Sequence, residues 1–191
     1  MIETAGLTKS YGQTLALSDL DLRIEAGEVF GYLGPNGAGK TTTLRLLMGL
    51  LRPSSGHAHV LGLDSWRDSV RVHRDVGYLP GEPAFYRRMT GLQHVEYLSH
   101  LRGGGGVPHG QALARRLDLD LSRPATSLSK GNRQKLAVVL AMMAEPRLLL
   151  LDEPTSGLDP LVQQEFQTLL REHTGRGGGV LLSSHVLGEV Q

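Results

Sequence analysis

The sequence has 191 residues, of which 40% are apolar and 20% are charged, a composition typical of one globular domain. Its formal net charge of +1 lacks the basic excess of nucleic-acid-binding proteins, so we expect no nucleic-acid partner. No cysteine is present, which excludes disulfides and thiol chemistry. No signal peptide is evident, and no apolar run approaches the roughly 20 residues that span a bilayer. If this protein acts at a membrane, we expect another chain to cross it.

Strand and helix patterns alternate along the first half of the chain. Apolar residues alternate over 20–24, and 29–33 is a short apolar run, so both predict strands with buried faces. A glycine-rich turn follows, and apolar residues then recur with helical spacing over 44–51. The patterns at 57–61 and 76–79 predict two further strands.

The second half begins with helical signals. Thr90 and Gln93 have the spacing of a capping box and predict a helix through Leu101. Asp159 followed by Pro160 predicts a helix start, with Asp159 as the N-cap. The predicted helices are 90–101, 111–117, 132–144 and 160–173, and the predicted strands are 148–151 and 180–183. Strands alternating with helices indicate an α/β fold with a doubly wound, mainly parallel sheet, and the strand-free stretch from about 87 to 135 indicates an inserted helical subdomain.

A phosphate-binding motif lies between the predicted strand 29–33 and the helix after it. The sequence from Gly34 to Thr41 fits the P-loop pattern in full, and its position before a helix is the one that the motif requires. Lys40 is expected to reach the β- and γ-phosphates of ATP, and the hydroxyl of Thr41 to bind Mg²⁺. The predicted ATP-binding residues here are Gly34, Pro35, Asn36, Gly37, Ala38, Gly39, Lys40, Thr41 and Thr42.

Two carboxylates follow the apolar run 148–151. Ligands gather at the carboxyl ends of parallel strands, so Asp152 is placed to hold Mg²⁺. Glu153 is placed to polarise the attacking water, as phosphoryl transfer requires. Together with the P-loop, this pair predicts an ATP-hydrolysing site.

The order of the remaining motifs resembles that of the ABC transporter ATPases. Leu128-Ser129-Lys130-Gly131-Asn132 is similar to the signature loop of that family, which usually reads Leu-Ser-Gly-Gly-Gln. Tyr11 is similar to its adenine-stacking aromatic residue, the stretch 154–159 to its D-loop, and His185 to its switch histidine. The resemblance covers nearly the whole chain and implies one ABC ATPase domain over 1–191, with a P-loop NTPase core and an N-terminal antiparallel β region.

The resemblance also implies partners and a mechanism. Two such domains close head to tail over two ATP molecules, so a second copy or a related ATPase subunit is expected. A transmembrane permease subunit would hold the pair at the cytoplasmic face of the cell membrane, and ATP hydrolysis would power export. A groove near Phe85, Tyr86 and Met89 is expected to receive a short helix of that permease. Catalytic roles are implied for Glu153 and His185, and contacts with the partner's ATP for Ser129, Lys130, Gly131, Asn132 and Asp159.

Three features depart from the family pattern. Gly81 stands where the family carries a glutamine that contacts Mg²⁺; either Glu82 substitutes as a metal ligand or the contact is absent. Lys130 and Asn132 replace the usual signature residues, and together with the stretch 78–82 they resemble the drug- and antibiotic-efflux branch of the exporters. The chain stops six residues after His185, which suggests a fragment or an unusually short protein.

Two alternatives remain open. A nucleotide-binding module that regulates without hydrolysis is favoured by Gly81 and the short C-terminal end, but the intact Lys40, Asp152, Glu153 and His185 oppose it. A soluble ABC ATPase acting on ribosomes or DNA usually carries tandem domains or a long coiled-coil insertion, and this chain shows neither.

Overall fold

The computed structural model describes residues 1–35 and 37–185. Within these ranges the chain forms two sheets and a set of helices. In chain order the elements are β1 (Ile2–Tyr11), β2 (Thr14–Ile24), β3 (Val29–Leu33), α1 (Lys40–Leu47), β4 (Ser55–Val60), β5 (Leu63–Asp64), α2 (Ser69–Asp75), β6 (Val76–Leu79), α3 (Gly91–Leu101), α4 (Val107–Arg116), α5 (Lys130–Met142), β7 (Leu148–Asp152), α6 (Pro160–Gly175) and β8 (Gly179–Ser184).

The N-terminal sheet is antiparallel, with the strand order β2-β1-β4-β5. Ile2 of β1 lies opposite Ile24 of β2 and Val60 of β4, and all three side chains are buried. This row of cross-strand neighbours faces the core and sets the register. The predicted antiparallel region is therefore confirmed.

The second sheet is parallel, with the strand order β3-β8-β7-β6. Successive leucines of β7 supply two different cores, because side chains alternate across a strand. Leu149 and Leu151 pack with α5 and α6, whereas Leu148 and Leu150 pack with α1 and the antiparallel sheet. Every residue of β7 is buried, as expected for a parallel strand that is covered on both faces. The predicted doubly wound α/β fold is confirmed.

Helices α3, α4 and α5 pack against one another on one face of the parallel sheet. The capping box that opens α3 is confirmed: the amide of Gln93 donates to Thr90 Oγ1 at 3.2 Å, and the amide of Thr90 donates to Gln93 Oε1 at 2.8 Å. Helix α4 begins at Val107 rather than at residue 111, because Pro108 occupies the first turn, where its missing N–H costs nothing.

The register of the parallel sheet brings three strand ends to one edge. Leu33 of β3 lies beside Ser184 of β8, and Asp152 of β7 lies beside Ser183. The P-loop follows β3, Glu153 follows β7 and His185 follows β8. The sheet therefore gathers the residues that the sequence singled out, at the edge where α/β proteins bind ligands.

Candidate active site

The P-loop enters α1 through Gly39, which has the left-handed φ of 83° and is the N-cap of the helix. A β-carbon at this position would lie 2.6 Å from the carbonyl oxygen of Ala16 in β2. Glycine is therefore required both by the backbone angle and by the close approach of the antiparallel sheet. The start of α1, whose first N–H groups find no partner within the helix itself, lies against the end of that sheet, an arrangement suited to anions.

Lys40 is the first residue of α1, and its side chain is 7% exposed. Its ammonium donates to the carbonyl oxygens of Gly34 at 2.5 Å and Pro35 at 3.2 Å. The same nitrogen lies 3.6 Å from Oε1 of Glu153. The P-loop backbone and a carboxylate thus hold this buried cation at the strand ends.

Asp152 ends β7 and is 2% exposed. Its Oδ2 accepts a hydrogen bond from Thr41 Oγ1 at 2.6 Å, and its Oδ1 accepts one from Ser183 Oγ at 2.5 Å. Burial raises the pKa of the neighbouring Tyr78, and the negative charge of Asp152 adds to that rise. The carboxylate is therefore joined to the P-loop on one side and to β8 on the other.

Glu153 follows Asp152 with a φ of 49°, in the left-handed region that non-glycine residues rarely adopt. Its amide donates to the hydroxyl and the carbonyl oxygen of Ser183, at 3.1 and 3.2 Å. Its Oε2 lies 2.7 Å from Nδ1 of the exposed His185. The turn directs the carboxylate toward Lys40 and His185 instead of continuing the strand.

A cavity of about 350 Å³ opens at these strand ends. It is lined by Thr14, Leu15, Ala16, Pro35, Gly37, Ala38, Gly39, Lys40, Thr41, Thr42, Asp152 and Glu153. Most of the predicted ATP-binding residues are therefore brought together around one space. The predicted contact of Asn36 lies outside the described residues.

Tyr11 and Glu82 are not among the described residues that line this cavity. Tyr11 ends β1 with 48% of its side chain exposed, and Lys9 Nζ lies 5.2 Å from the centre of its ring. Glu82 is exposed, whereas a β-carbon on Gly81 would lie 3.1 Å from Oδ2 of Asp152. Position 81 thus faces the acidic group directly, although glycine brings no side chain to it.

The signature residues lie at the start of α5, away from the cavity lining. Ser129 is the N-cap, and its hydroxyl accepts from the amide of Asn132 at 3.2 Å. A β-carbon on Gly131 would lie 2.7 Å from the carbonyl oxygen of Gly157, and the aliphatic part of Lys130 lies near the same glycine. Asp159 is the N-cap of α6, as predicted, and accepts from two amides at 3.1 Å. In this single chain Ser129 and Asp159 cap helices, Lys130 is exposed, and Gly131 and Asn132 are half-buried.

Oxygen donors suited to Mg²⁺ meet beside the P-loop. Thr41 Oγ1 and Asp152 Oδ2 are 2.6 Å apart at the cavity wall, and hydroxyl and carboxylate oxygens are the ligands that this ion prefers. Across residues 1–35 and 37–185, no three histidine or acidic side chains form a metal-binding cluster of their own. The hydroxyl of Thr41 and the carboxylate of Asp152 therefore have the chemistry to hold Mg²⁺ at the cavity wall.

Ser183 is a contributor that the sequence analysis missed. It is fully buried, and its hydroxyl joins Asp152 to the amide of Glu153. The sequence did contain a signal for it: Ser183 ends the predicted strand 180–183, and ligand-binding residues gather at the carboxyl ends of parallel strands, as Asp152 does.

Comparisons with known proteins agree with this geometry. A family model described as ABC transporter matches residues 17–156. The chain is 35% identical to YbhF of Escherichia coli (strain K12), a probable multidrug ABC transporter ATP-binding protein, over 100% of this chain and 34% of that protein. It is 34% identical to the bacitracin transport ATP-binding protein BcrA of Enterococcus faecalis, over 100% of this chain and 63% of that one. The chain thus spans about a third of the length of YbhF and just under two thirds of the length of BcrA.

Solved structures give the same result for the fold. One described as the ATP binding subunit of an ABC transporter superposes with a TM-score of 0.92 at 30% identity, over 98% of this chain and 80% of that one. The cassette MJ0796, described as a dimer in a post-hydrolysis state with ADP and phosphate, has a TM-score of 0.88 at 23% identity, over 100% of this chain and 90% of that one. At the latter identity the likeness shows the fold alone.

Proposed function

Because this chain belongs to the ABC transporter family, we propose that it binds ATP with Mg²⁺ and hydrolyses it to power a membrane-spanning partner. The observation that carries the proposal is the meeting of Lys40, Thr41, Asp152 and Glu153 around one cavity of about 350 Å³. Such a site matches the needs of phosphoryl transfer, in which positioning and charge stabilisation do most of the work.

Each residue of the site has a distinct role in the proposed reaction. The P-loop amides and the ammonium of Lys40 bind the phosphates. Thr41 and Asp152 would hold Mg²⁺, which would neutralise part of the phosphate charge. Tyr11 stacks on the adenine from the end of β1, outside the cavity that takes the phosphates.

The proton transfer belongs to Glu153. Its carboxylate takes a proton from a water molecule while the water oxygen forms a bond to the γ-phosphorus. The bond from that phosphorus to the bridging oxygen breaks, which leaves ADP and phosphate. Because a carboxylate can only accept, Nδ1 of His185 carries the proton of the 2.7 Å contact and orients Oε2.

The signature residues serve a second ATPase subunit in this proposal. Ser129 begins α5, where amide groups and the helix dipole favour an anion. Lys130, Gly131, Asn132 and Asp159 complete the same surface. Since none of them lines the chain's own cavity, they are available to the γ-phosphate held by a second copy or a related chain. The dimeric arrangement described for MJ0796 supports this pairing.

The membrane partner is a separate permease subunit, which holds the ATPase pair at the cytoplasmic face of the cell membrane. Within residues 1–35 and 37–185, every helix is too short or too polar to span a bilayer. The names of YbhF and BcrA, a multidrug and a bacitracin transport protein, support export as the direction.

The permease docks on a groove of about 230 Å³ beside the helical insertion. Phe85 lines this groove, and Tyr86 next to it is 59% exposed and stacks on His94. An exposed aromatic next to an apolar groove suits the apolar face of a short helix.

A phosphate-release assay on the purified protein with Mg²⁺ and ATP tests the proposal. Hydrolysis that falls roughly 10²- to 10⁴-fold in Glu153→Gln, with ATP binding retained, supports it. ATP binding with no hydrolysis by the wild type would favour the regulatory module instead, and a protein that binds no nucleotide would overturn both readings.

A further inference from the structure

Gln134 is a buried polar residue in the second turn of α5, and the reaction described above does not use it. Its side chain is 5% exposed. Its Nε2 donates to the carbonyl oxygen of Glu153 at 3.2 Å and to that of Pro154 at 2.9 Å. A single amide nitrogen of the signature helix thus holds the two peptide groups that follow the carboxylate.

These two hydrogen bonds reach the backbone where it departs from regular geometry. Glu153 has a φ of 49°, which non-glycine residues keep only when their surroundings enforce it. Ser183 holds the amide side of this residue, and Gln134 holds the carbonyl side. The aim of the carboxylate toward Lys40 and His185 is therefore fixed from two directions, one of which comes from α5.

The same helix begins at the signature. Gln134 lies five residues after the N-cap Ser129, roughly 7.5 Å along the axis of the same hydrogen-bonded helix. A second contact joins the same parts of the chain, since Gly131 abuts the carbonyl oxygen of Gly157. The signature end of α5 is thus linked through two contacts to the turn that carries the chain's own carboxylate.

We propose that Gln134 is a positioning residue that couples the signature helix to Glu153 within one chain. The proposal rests on the proposed ATPase function. When Ser129 binds the phosphate of the partner's ATP, α5 takes up a fixed position. The hydrogen bonds of Gln134 then hold the Glu153 turn in the geometry that hydrolysis requires. Each ATP site would then respond to occupation of the other one through this side chain.

The variant Gln134→Leu tests the coupling, because it keeps the size of the side chain and removes the donor. We expect kcat to fall roughly 10- to 100-fold, the loss that a small misplacement of a catalytic group produces, while the KM for ATP changes less than about twofold. Gln134→Glu, whose carboxylate cannot donate, should behave alike. The control is Gln163→Leu, since Gln163 Nε2 also donates to a backbone carbonyl, that of Leu158 at 3.1 Å. Its kcat should stay at the wild-type value.

A double-mutant comparison separates positioning from general damage. In a Glu153→Gln background, Gln134→Leu should slow the residual hydrolysis no further, because it acts through the carboxylate. Equal losses in both backgrounds, or a parallel loss of ATP affinity and kcat, would overturn the proposal in favour of a structural role. Wild-type kcat in both Gln134 variants would also overturn it.

Hydrogen exchange provides a readout that does not depend on activity. Gln134→Leu should accelerate amide exchange over residues 153–156 and leave residues 37–43 unchanged, whereas Gln163→Leu, whose lost bond is to Leu158, should leave both segments unchanged. Unchanged exchange at 153–156 in Gln134→Leu would refute the anchoring of the turn. A wild type that hydrolyses no ATP would refute the proposed function, and the exchange result would still decide whether Gln134 holds the turn.

Discussion

Nδ1 of His185 lies 2.7 Å from Oε2 of Glu153, so an imidazole after β8 orients a carboxylate after β7. The other oxygen of this carboxylate lies 3.6 Å from the ammonium of Lys40. The carboxylate therefore lies between an imidazole and a cation, at the wall of the cavity. Changes here should affect the reaction more than the fold.

Glu153→Gln should slow hydrolysis roughly 10²- to 10⁴-fold, the usual contribution of a positioned general base. ATP binding should survive because Lys40, Thr41 and Asp152 remain. The uncleaved γ-phosphate would then keep two chains together, so size-exclusion chromatography should show an ATP-dependent dimer.

A companion change tests the shared site. Ser129→Arg in the Glu153→Gln protein should prevent the dimer, because a bulky side chain would occupy the place of the partner's phosphate. If Glu153→Gln hydrolyses ATP at the wild-type rate, another group is the base, and Glu82 and His185 are the next candidates.

Lys40→Ala should weaken ATP binding by about 10- to 100-fold, since a charge-assisted hydrogen bond contributes about 1.5–3 kcal/mol. Titration with ATP measures the change. Lys135→Ala is the matched control. Lys135 is also a buried lysine, and its ammonium lies 3.3 Å from the backbone carbonyl oxygen of Asp118. Equal affinity in the wild type and Lys40→Ala would contradict the phosphate role.

Tyr11→Ala should weaken ATP binding more modestly, because stacking on a base contributes about 1–3 kcal/mol. The side chain is 48% exposed and lies outside the phosphate cavity, so the fold should be unaffected. The affinity for inorganic triphosphate should not change. An equal loss for ATP and triphosphate would remove the stacking role.

Tyr86→Glu should uncouple transport from hydrolysis. The backbone amide of Tyr86, which donates to His94 Nε2 at 3.0 Å, is kept, while a charge enters the exposed aromatic surface. Reconstituted with its permease, this variant should lose most transport and keep its basal ATPase rate. Trp66→Glu, another exposed aromatic changed to a charge, serves as the control and should transport normally. Loss of ATP binding in Tyr86→Glu would contradict the docking role.

His173 should make the protein less stable in mild acid. Burial lowers the pKa of this side chain below the usual value of about 6.5, so the unfolded chain binds a proton that the folded one does not. Its contribution to stability is therefore complete above about pH 6.5 and is lost as the pH falls below that value. His173→Phe should flatten the decline of the unfolding free energy between about pH 7 and 5, by up to about 1.4 kcal/mol per pH unit. Denaturant titrations at several pH values measure this, with the exposed His100 changed to Phe as the control. Parallel curves for the wild type and His173→Phe would refute the assignment.

Local signals predicted the starts of α3 and α6 well. Thr90 with Gln93, and Asp159 with Pro160, carry their capping chemistry within four residues, so no tertiary contact is needed to read it. The apolar runs of β6 and β7 were equally clear, because nearly all of their residues are buried. The run 29–33 does form strand β3, but the buried faces expected for it are not found: its three central residues are half-buried, and Val29 and Leu33 are exposed.

Elements shaped by distant contacts were missed or shortened. Strand β1 was not predicted, since polar residues and register shifts near Leu7 and Lys9 break its alternation. Strand β2 begins at Thr14, six residues before its alternating part, because Asp19 interrupts it with a φ of 50°. The hydrogen bonds of Gln134 could not be predicted from the sequence either, because their acceptors are carbonyl oxygens about 20 residues away that only the fold brings close.

The left-handed backbone conformation at Glu153 lowers the stability of the fold at the position of the proposed general base. Such a conformation costs a non-glycine residue on the order of 1–3 kcal/mol, whereas glycine adopts it freely and loses about 0.5–1 kcal/mol through its greater freedom in the unfolded chain. A glycine at position 153 should therefore raise the melting temperature and slow hydrolysis roughly as strongly as Glu153→Gln does. Selection of variants for heat resistance alone would favour loss of the proposed general base at this position, so a thermostable variant of this chain should be selected for hydrolysis as well.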